Sequence, residues 1–100
     1  MLLLGVIMNY PAASEWRKRR VYQLMTDRFA SLKEEPCTDL YQYCGGDYKA
    51  LLTKLDYIQD LGYNAIWISP TVEQAENSTK SYHGYWFANF YGTNSWFGTE

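Results

Sequence analysis

The clearest pattern of hydrophobic and polar positions lies between residues 47 and 62. Apolar side chains recur there at intervals of three and four residues, while lysines and aspartates fall mostly on another face; the apolar positions are Tyr48, Leu51, Leu52, Leu55, Ile58 and Leu61. This spacing predicts an amphipathic helix. Asp47 is placed to cap its first turn with its carboxylate, and Gly62 supplies the left-handed residue at which such a helix ends.

Two short β-rich segments flank that helix. Val21 to Phe29 contains no glycine or proline, and its nearly continuous apolar character predicts a strand buried on both faces, as in a parallel sheet. Residues 30–46 contain a proline and two glycines and are predicted to form a loop. Ala65 to Ser69 predicts a second strand that ends at Pro70. Strand, loop, helix and strand in this order predict a βαβ unit with a right-handed crossover, in an α/β fold.

Aromatic and polar residues dominate the chain beyond the second strand. Glu73 to Ser81 is polar and predicts a long loop, and the aromatic segment Tyr82 to Trp86 follows it. Thr99 and Glu100 are expected to begin another helix. Of the 100 residues, 18% are aromatic, including 10 Tyr and 4 Trp. Rings in this number suit contact with a flat, hydroxylated ligand such as a sugar, or ordinary core packing.

Charge and composition exclude some classes of protein. The formal net charge is -2 and the only basic cluster, residues 17–20, is short, so we expect no nucleic-acid binding. The apolar run at residues 2–8 is too short to span a bilayer. It resembles the core of a secretory signal, and residues 1–13 are interpreted as a shortened signal peptide.

Two further features favour an oxidising, extracellular compartment. Asn77 begins the sequence Asn-Ser-Thr, which is an acceptor site for N-glycosylation. Cys37 and Cys44 are the only cysteines. Their short separation favours a local disulfide over a metal site, which would need two further ligands nearby, and two reduced cysteines remain the alternative. The expected location is secreted or in the cell wall.

Eight short segments in a fixed order resemble the start of fungal α-amylases of glycoside hydrolase family 13, over nearly everything from about residue 15 to residue 100. The segments are Glu15-Trp16-Arg17, Val21-Tyr22-Gln23, Thr26-Asp27-Arg28-Phe29, Tyr43-Cys44-Gly45-Gly46, Leu55-Asp56-Tyr57-Ile58-Gln59, Ala65-Ile66-Trp67-Ile68-Ser69-Pro70, Tyr82-His83-Gly84-Tyr85-Trp86 and Phe97-Gly98-Thr99. The resemblance implies that residues 14–100 are the N-terminal βαβ portion of a TIM (β/α)₈ barrel. Such a barrel takes about 250 residues, so the portion is incomplete.

The resemblance also implies a substrate cleft at Tyr82 to Trp86. Tyr85 corresponds to the ring beneath the sugar at the cleavage point, Trp86 to an aromatic contact further toward the non-reducing end, and His83 to a neighbour in the cleft. Gln42 corresponds to a glutamine that binds glucan hydroxyls, although the cysteine loop here is shorter than in the family. Core packing is the alternative for both aromatic rings, and a structural role is the alternative for His83.

The same resemblance assigns structural roles elsewhere. The pair Cys37 and Cys44 resembles the first disulfide of the family. Asp27, at the end of the first strand, corresponds to a structural carboxylate hydrogen-bonded near the barrel mouth and not to a catalytic one. The family's calcium ligands lie further along the barrel, so we expect calcium in full-length members and none bound by these residues.

Retaining glycosidases use one carboxylate as nucleophile and a second carboxyl group as acid and base. In this family these groups follow the fourth and fifth strands, and a third carboxylate follows the seventh. The expected function is therefore a catalytically inactive portion of an endo-acting α-1,4-glucan hydrolase whose substrate is starch or another α-glucan. We expect the full-length enzyme to be a monomer. An α-glucan transferase of the cell wall and a non-catalytic carbohydrate-binding remnant are the alternatives.

Overall fold

The computed structural model describes residues 10–75 and 78–99. The apolar run at residues 2–8, the acceptor Asn77 and Glu100 lie outside the described residues. Within those residues the elements follow in the order α1 Ala13–Trp16, β1 Val21–Leu24, α2 Thr26–Phe29, α3 Tyr48–Leu52, α4 Leu55–Asp60, β2 Ala65–Ile68, β3 Val72–Gln74 and β4 Phe87–Thr93.

The predicted parallel pairing of the two β-rich segments is confirmed. β1 and β2 run parallel, from the pair Val21 and Ala65 to the pair Leu24 and Ile68. The carbonyl of Arg20 accepts hydrogen bonds from the N–H groups of Asn64 and Ala65 at 3.1 and 3.2 Å, which sets the register where both strands begin. With the helical segments between them, the two strands form a βαβ unit.

The first strand is shorter than predicted. β1 ends at Leu24, and Thr26–Phe29 form a helical turn in which Arg28 and Phe29 both donate to the carbonyl of Met25 at 3.0 Å. The N–H of Thr26 donates instead to the Ser69 hydroxyl at 3.1 Å, which joins the ends of the two strands. Local β-propensity did not predict that the strand ends at Leu24, because Ser69, the hydrogen-bond partner of Thr26, lies 43 residues away in the sequence.

The predicted helix forms with both of its expected ends but is interrupted. Asp47 caps the first turn, since its carboxylate accepts from the N–H of Ala50 at 2.8 Å, and Gly62 adopts a left-handed φ of 94°. The break between α3 and α4 lies at Thr53, whose hydroxyl and N–H both donate to the carbonyl of Ala50, at 2.7 and 3.1 Å. A threonine that bonds back to the preceding turn competes with the regular helical pattern.

The predicted long loop at Glu73 to Ser81 is wrong over its first residues. Val72–Gln74 form β3, which pairs antiparallel with β4 in an irregular register. The partners Val72 and Thr93 are far apart in sequence, and three residues are too few to show a strand period.

The buried apolar side chains of the described residues are few: Leu24, Ala50, Ile58 and Phe97. Phe97 ties the C-terminal part of the chain to α3, because its carbonyl accepts from the N–H of Tyr48 at 2.9 Å and the two rings meet edge to face. The predicted burial of the first strand on both faces is wrong, since Val21 is 43% exposed. Only β2 pairs with β1 in the described part of the chain.

No helix among residues 10–75 and 78–99 is long and apolar enough to cross a membrane.

Candidate functional site

The aromatic segment Tyr82 to Trp86 reaches the carboxyl ends of the parallel strands. Tyr85 lines a cavity of about 260 Å³ together with residues from the ends of both strands: Gln23, Leu24, Met25, Trp67, Ile68 and Ser69. In barrels of parallel strands this is the end that carries ligand-binding and catalytic groups. The aromatic segment therefore lies at the end of the sheet where a barrel carries its ligand-binding groups, and the cleft remains a prediction.

Gln74 holds this segment in place. Its buried side-chain amide donates to the carbonyl of Gly84 at 3.1 Å and accepts from the N–H of Trp86 at 2.9 Å. Gly84 adopts a φ of 84°, and a Cβ there would lie 2.6 Å from the carbonyl oxygen of Pro70. Only glycine fits so close to the end of the second strand. Sequence analysis placed Gln74 in a polar loop and missed this role, which depends on the β3–β4 pairing.

The structure brings three of the predicted site residues together. The His83 ring lies 6.0 Å from that of Tyr85, nearly parallel to it, and 4.9 Å from that of Trp86, edge to face. Nδ1 of His83 accepts from the N–H of Tyr85 at 3.0 Å, which leaves the proton of the neutral ring on Nε2. Tyr85 is 59% and Trp86 50% exposed, so core packing does not describe either ring.

Gln42 lies apart from that cluster, in the cysteine loop. Its side-chain amide donates to Asp39 Oδ2 at 2.9 Å. The hydrogen bond from the N–H of Tyr41, and after it the one from Gln42, lowers the pKa of the Asp39 carboxyl. The connection from Gln42 to the aromatic segment runs through Arg28, which donates to the Gln42 carbonyl at 2.9 Å and lies 3.8 Å from the centre of the Tyr82 ring.

Asp27 is buried, and its carboxylate is occupied by donors. It accepts from the N–H of Cys44 at 2.9 and 3.0 Å, from the N–H of Gly45 at 3.1 Å and from Arg28 Nε at 2.7 Å. A carboxylate held in this way anchors the cysteine loop against the end of the first strand, which agrees with the structural role that was expected. The predicted disulfide between Cys37 and Cys44 is formed, with a Cα–Cα distance of 5.2 Å.

In the part of the chain that the structure describes, no group of three or more His, Cys, Asp or Glu side chains is arranged to hold a metal ion.

Two parallel strands joined by a helical connection define the class of α/β proteins, and comparison with known proteins specifies the family. Residues 23–100 match the family described as the α-amylase catalytic domain. The chain is 49% identical over 103 residues to α-amylase mde5 of Schizosaccharomyces pombe (strain 972 / ATCC 24843), covering 99% of this chain and 20% of that protein.

Solved structures agree with this match. The α-amylase from Malbranchea cinnamomea is 43% identical with a TM-score of 0.77, over 86% of this chain and 20% of that one. CldA, a cyclomaltodextrin glucanotransferase, is 34% identical with a TM-score of 0.68, over 81% of this chain and 20% of that one. The chain therefore belongs to the α-amylase family, and its βαβ unit is part of a TIM-barrel fold. It spans about a fifth of the length of the curated relatives that come first among its matches.

Proposed function

We propose that this chain is part of an endo-acting α-1,4-glucan hydrolase and forms part of its glucan-binding cleft. The observation that carries the proposal is the cluster of the exposed Tyr85 and Trp86 rings with the half-buried His83, at the carboxyl ends of the parallel strands. Aromatic faces pack against the apolar C–H faces of a sugar ring, while the His83 Nε2 proton is available to donate to a sugar hydroxyl. Starch and its oligosaccharides are the expected ligands.

The catalytic carboxyl groups are proposed to come from other parts of the protein. A nucleophile must be free to attack and an acid free to donate, and the Asp27 carboxylate is already bound to two backbone N–H groups and to Arg28. The cleft of this chain thus orients a glucan without cleaving it, and we expect the 100-residue chain to release no reducing sugar from starch.

Calorimetric titration of the chain with maltoheptaose tests the binding role. Tyr85→Ala and Trp86→Ala each remove a ring that would be about half covered by sugar, which contributes about 1 kcal/mol. The affinity should therefore fall about fivefold in each variant. Tyr57→Ala and Trp16→Ala are matched controls, because both rings are 53% exposed and lie on helices away from the cleft. Equal losses in the controls, or no loss in the cleft variants, would contradict the proposal.

The likeness to CldA favours an α-glucan transferase as a second candidate function. Hydrolase and transferase differ in whether water or a sugar enters the second step, and analysis of the products formed from maltoheptaose by the full-length protein separates them.

A non-catalytic carbohydrate-binding protein is the remaining candidate. Sequencing the DNA beyond the codon for Glu100 tests it, since family carboxylates at the expected positions would exclude it.

Secretion, or retention in the cell wall, is the proposed location. The disulfide between Cys37 and Cys44 supports it, because disulfides persist in oxidising compartments and are rare in the cytosol. Asn77 is the proposed glycan acceptor. Recovery of the protein from the culture medium, with a gel shift on enzymatic deglycosylation that Asn77→Gln abolishes, tests both statements.

A further inference from the structure

Arg28 connects the disulfide-closed loop to the aromatic segment. Its Nη2 group donates to the carbonyls of Leu40 and Gln42 at 2.7 and 2.9 Å, and both acceptors lie inside the ring closed by Cys37 and Cys44. The guanidinium carbon lies 3.8 Å from the centre of the Tyr82 ring. One side chain therefore contacts both parts of the molecule.

The orientation of the guanidinium is fixed from a third side by Asp27. Nε of Arg28 donates to Oδ2 of Asp27 at 2.7 Å, and the Asp27 side chain is fully buried. The same carboxylate is held by the N–H groups of Cys44 and Gly45. Because the guanidinium is planar and its donors have a fixed geometry, these bonds determine which way its flat face points. That face meets Tyr82.

Tyr82 connects the Arg28 guanidinium, through His83, to the exposed rings of Tyr85 and Trp86. Its ring packs edge to face on that of His83 at 5.3 Å. His83 in turn accepts from the N–H of Tyr85 and packs edge to face against Trp86. A displacement of Tyr82 would therefore displace the imidazole on which both exposed rings are arranged.

We propose that Arg28 is a positioning residue for glucan binding, which holds Tyr82 and His83, and through them Tyr85 and Trp86, by anchoring them to the disulfide-closed loop. This inference rests on the proposed glucan-binding role of the cluster. Arg28 itself need not touch the glucan, because its Nε and Nη2 groups are already bound to Asp27, Leu40 and Gln42.

The single histidine of the chain provides a direct test in the absence of ligand. The imidazole proton resonances of His83 should be shifted by the ring currents of its aromatic neighbours, and Arg28 has no ring current of its own. Arg28→Gln should move these resonances toward unstructured values and weaken the cross-peaks between His83 and Trp86. Arg17→Gln, which removes an exposed charge, should leave them unchanged. Unchanged His83 resonances in Arg28→Gln would overturn the inference whatever the glucan result.

Maltoheptaose binding provides the second readout. It is measured in Tyr82 variants as well as in Arg28→Gln, so the test does not rest on one substitution. Tyr82→Phe keeps the ring under the guanidinium and should keep the affinity, whereas Tyr82→Leu should lose about fivefold, as should Arg28→Gln. The double variant Arg28→Gln/Tyr82→Leu should lose no more than either single variant, because the two residues act through one contact. Additive losses, or equal effects of Tyr82→Phe and Tyr82→Leu, would overturn the inference. Absence of binding by the unmodified chain would refute the proposed function instead, and the His83 resonances would still decide whether Arg28 positions the cluster.

Discussion

Replacing Asp27 by asparagine separates a structural role for this carboxylate from a catalytic one. The substitution keeps the shape and one acceptor oxygen but removes the charge that binds Cys44, Gly45 and Arg28. Hydrogen bonds to charged groups contribute about 1.5–3 kcal/mol each, and removing one partner of a buried ion pair costs about 3–5 kcal/mol. Arg28 keeps 24% of its side chain exposed, so we take the lower end and expect the cysteine loop to be destabilised by about 3 kcal/mol.

Amide hydrogen exchange at Cys44 and Gly45, followed by NMR, measures this local change. A loss of about 3 kcal/mol corresponds to exchange that is roughly a hundredfold faster in Asp27→Asn. Asp56→Asn is a suitable control, because Asp56 is exposed on α4 and its substitution should leave both amides unchanged. Exchange within about threefold of the unmodified chain would refute the structural interpretation. Loss of the proposed glucan hydrolysis in the full-length protein, with unaltered exchange, would point to a catalytic role for Asp27.

Two further predictions concern the same loop. Gly46→Ala should destabilise the chain by about 3 kcal/mol, since its Cβ would lie 2.2 Å from the carbonyl oxygen of Thr26. Gly62→Ala should cost only about 1 kcal/mol, because a Cβ there would meet no other atom and only the left-handed φ of 94° is strained. Urea unfolding measures both losses, and a larger loss for Gly62→Ala than for Gly46→Ala would contradict the predicted steric clash at Gly46. The carboxyl pKa of Asp39 lies below its ordinary value of 3.8, so its contribution to loop stability is fully present above pH 3.8 and is lost as the pH falls through the lower, folded-state pKa. An NMR titration of the Asp39 carboxyl with a midpoint at or above 3.8 would exclude this contribution.

The elements that sequence predicted best depend on local chemistry. Asp47 and Gly62 mark the ends of the helical region because capping and left-handed geometry are properties of one residue and its near neighbours. The parallel pairing of β1 with β2 follows from the order of elements and needs no knowledge of side-chain contacts.

The elements that sequence missed depend on distant partners. The turn at Thr26 to Phe29 accompanies bonds to Ser69 and to the cysteine loop, and β3 exists only because β4 returns to pair with it. One signal for β4 was available, since residues 87–93 include three aromatic rings among seven positions and favour a strand.

The candidate site also contains residues that the sequence identified and residues whose contacts depend on distant partners. The motif around Tyr85 and Trp86 located the exposed rings, because the resemblance to a family carries three-dimensional information that periodicity lacks. Gln74 lies outside the segments that carry the resemblance, and Arg28 lies in one of them but was assigned no role there. Their contacts with the aromatic segment form only when β3 and the disulfide-closed loop are folded against it.

The bonds to Asp27 also determine where the connection between the first strand and the helix can change in length. Residues 44–46 are held to the strand end, because Cys44 and Gly45 donate to the Asp27 carboxylate and Gly46 donates to the Asp27 carbonyl at 3.0 Å. Residues 37–44 are closed into a ring by the disulfide. Residues 34–36 belong to neither constraint and are fully on the surface. An insertion at residues 34–36 should therefore disturb the end of the first strand less than an insertion at residues 44–46.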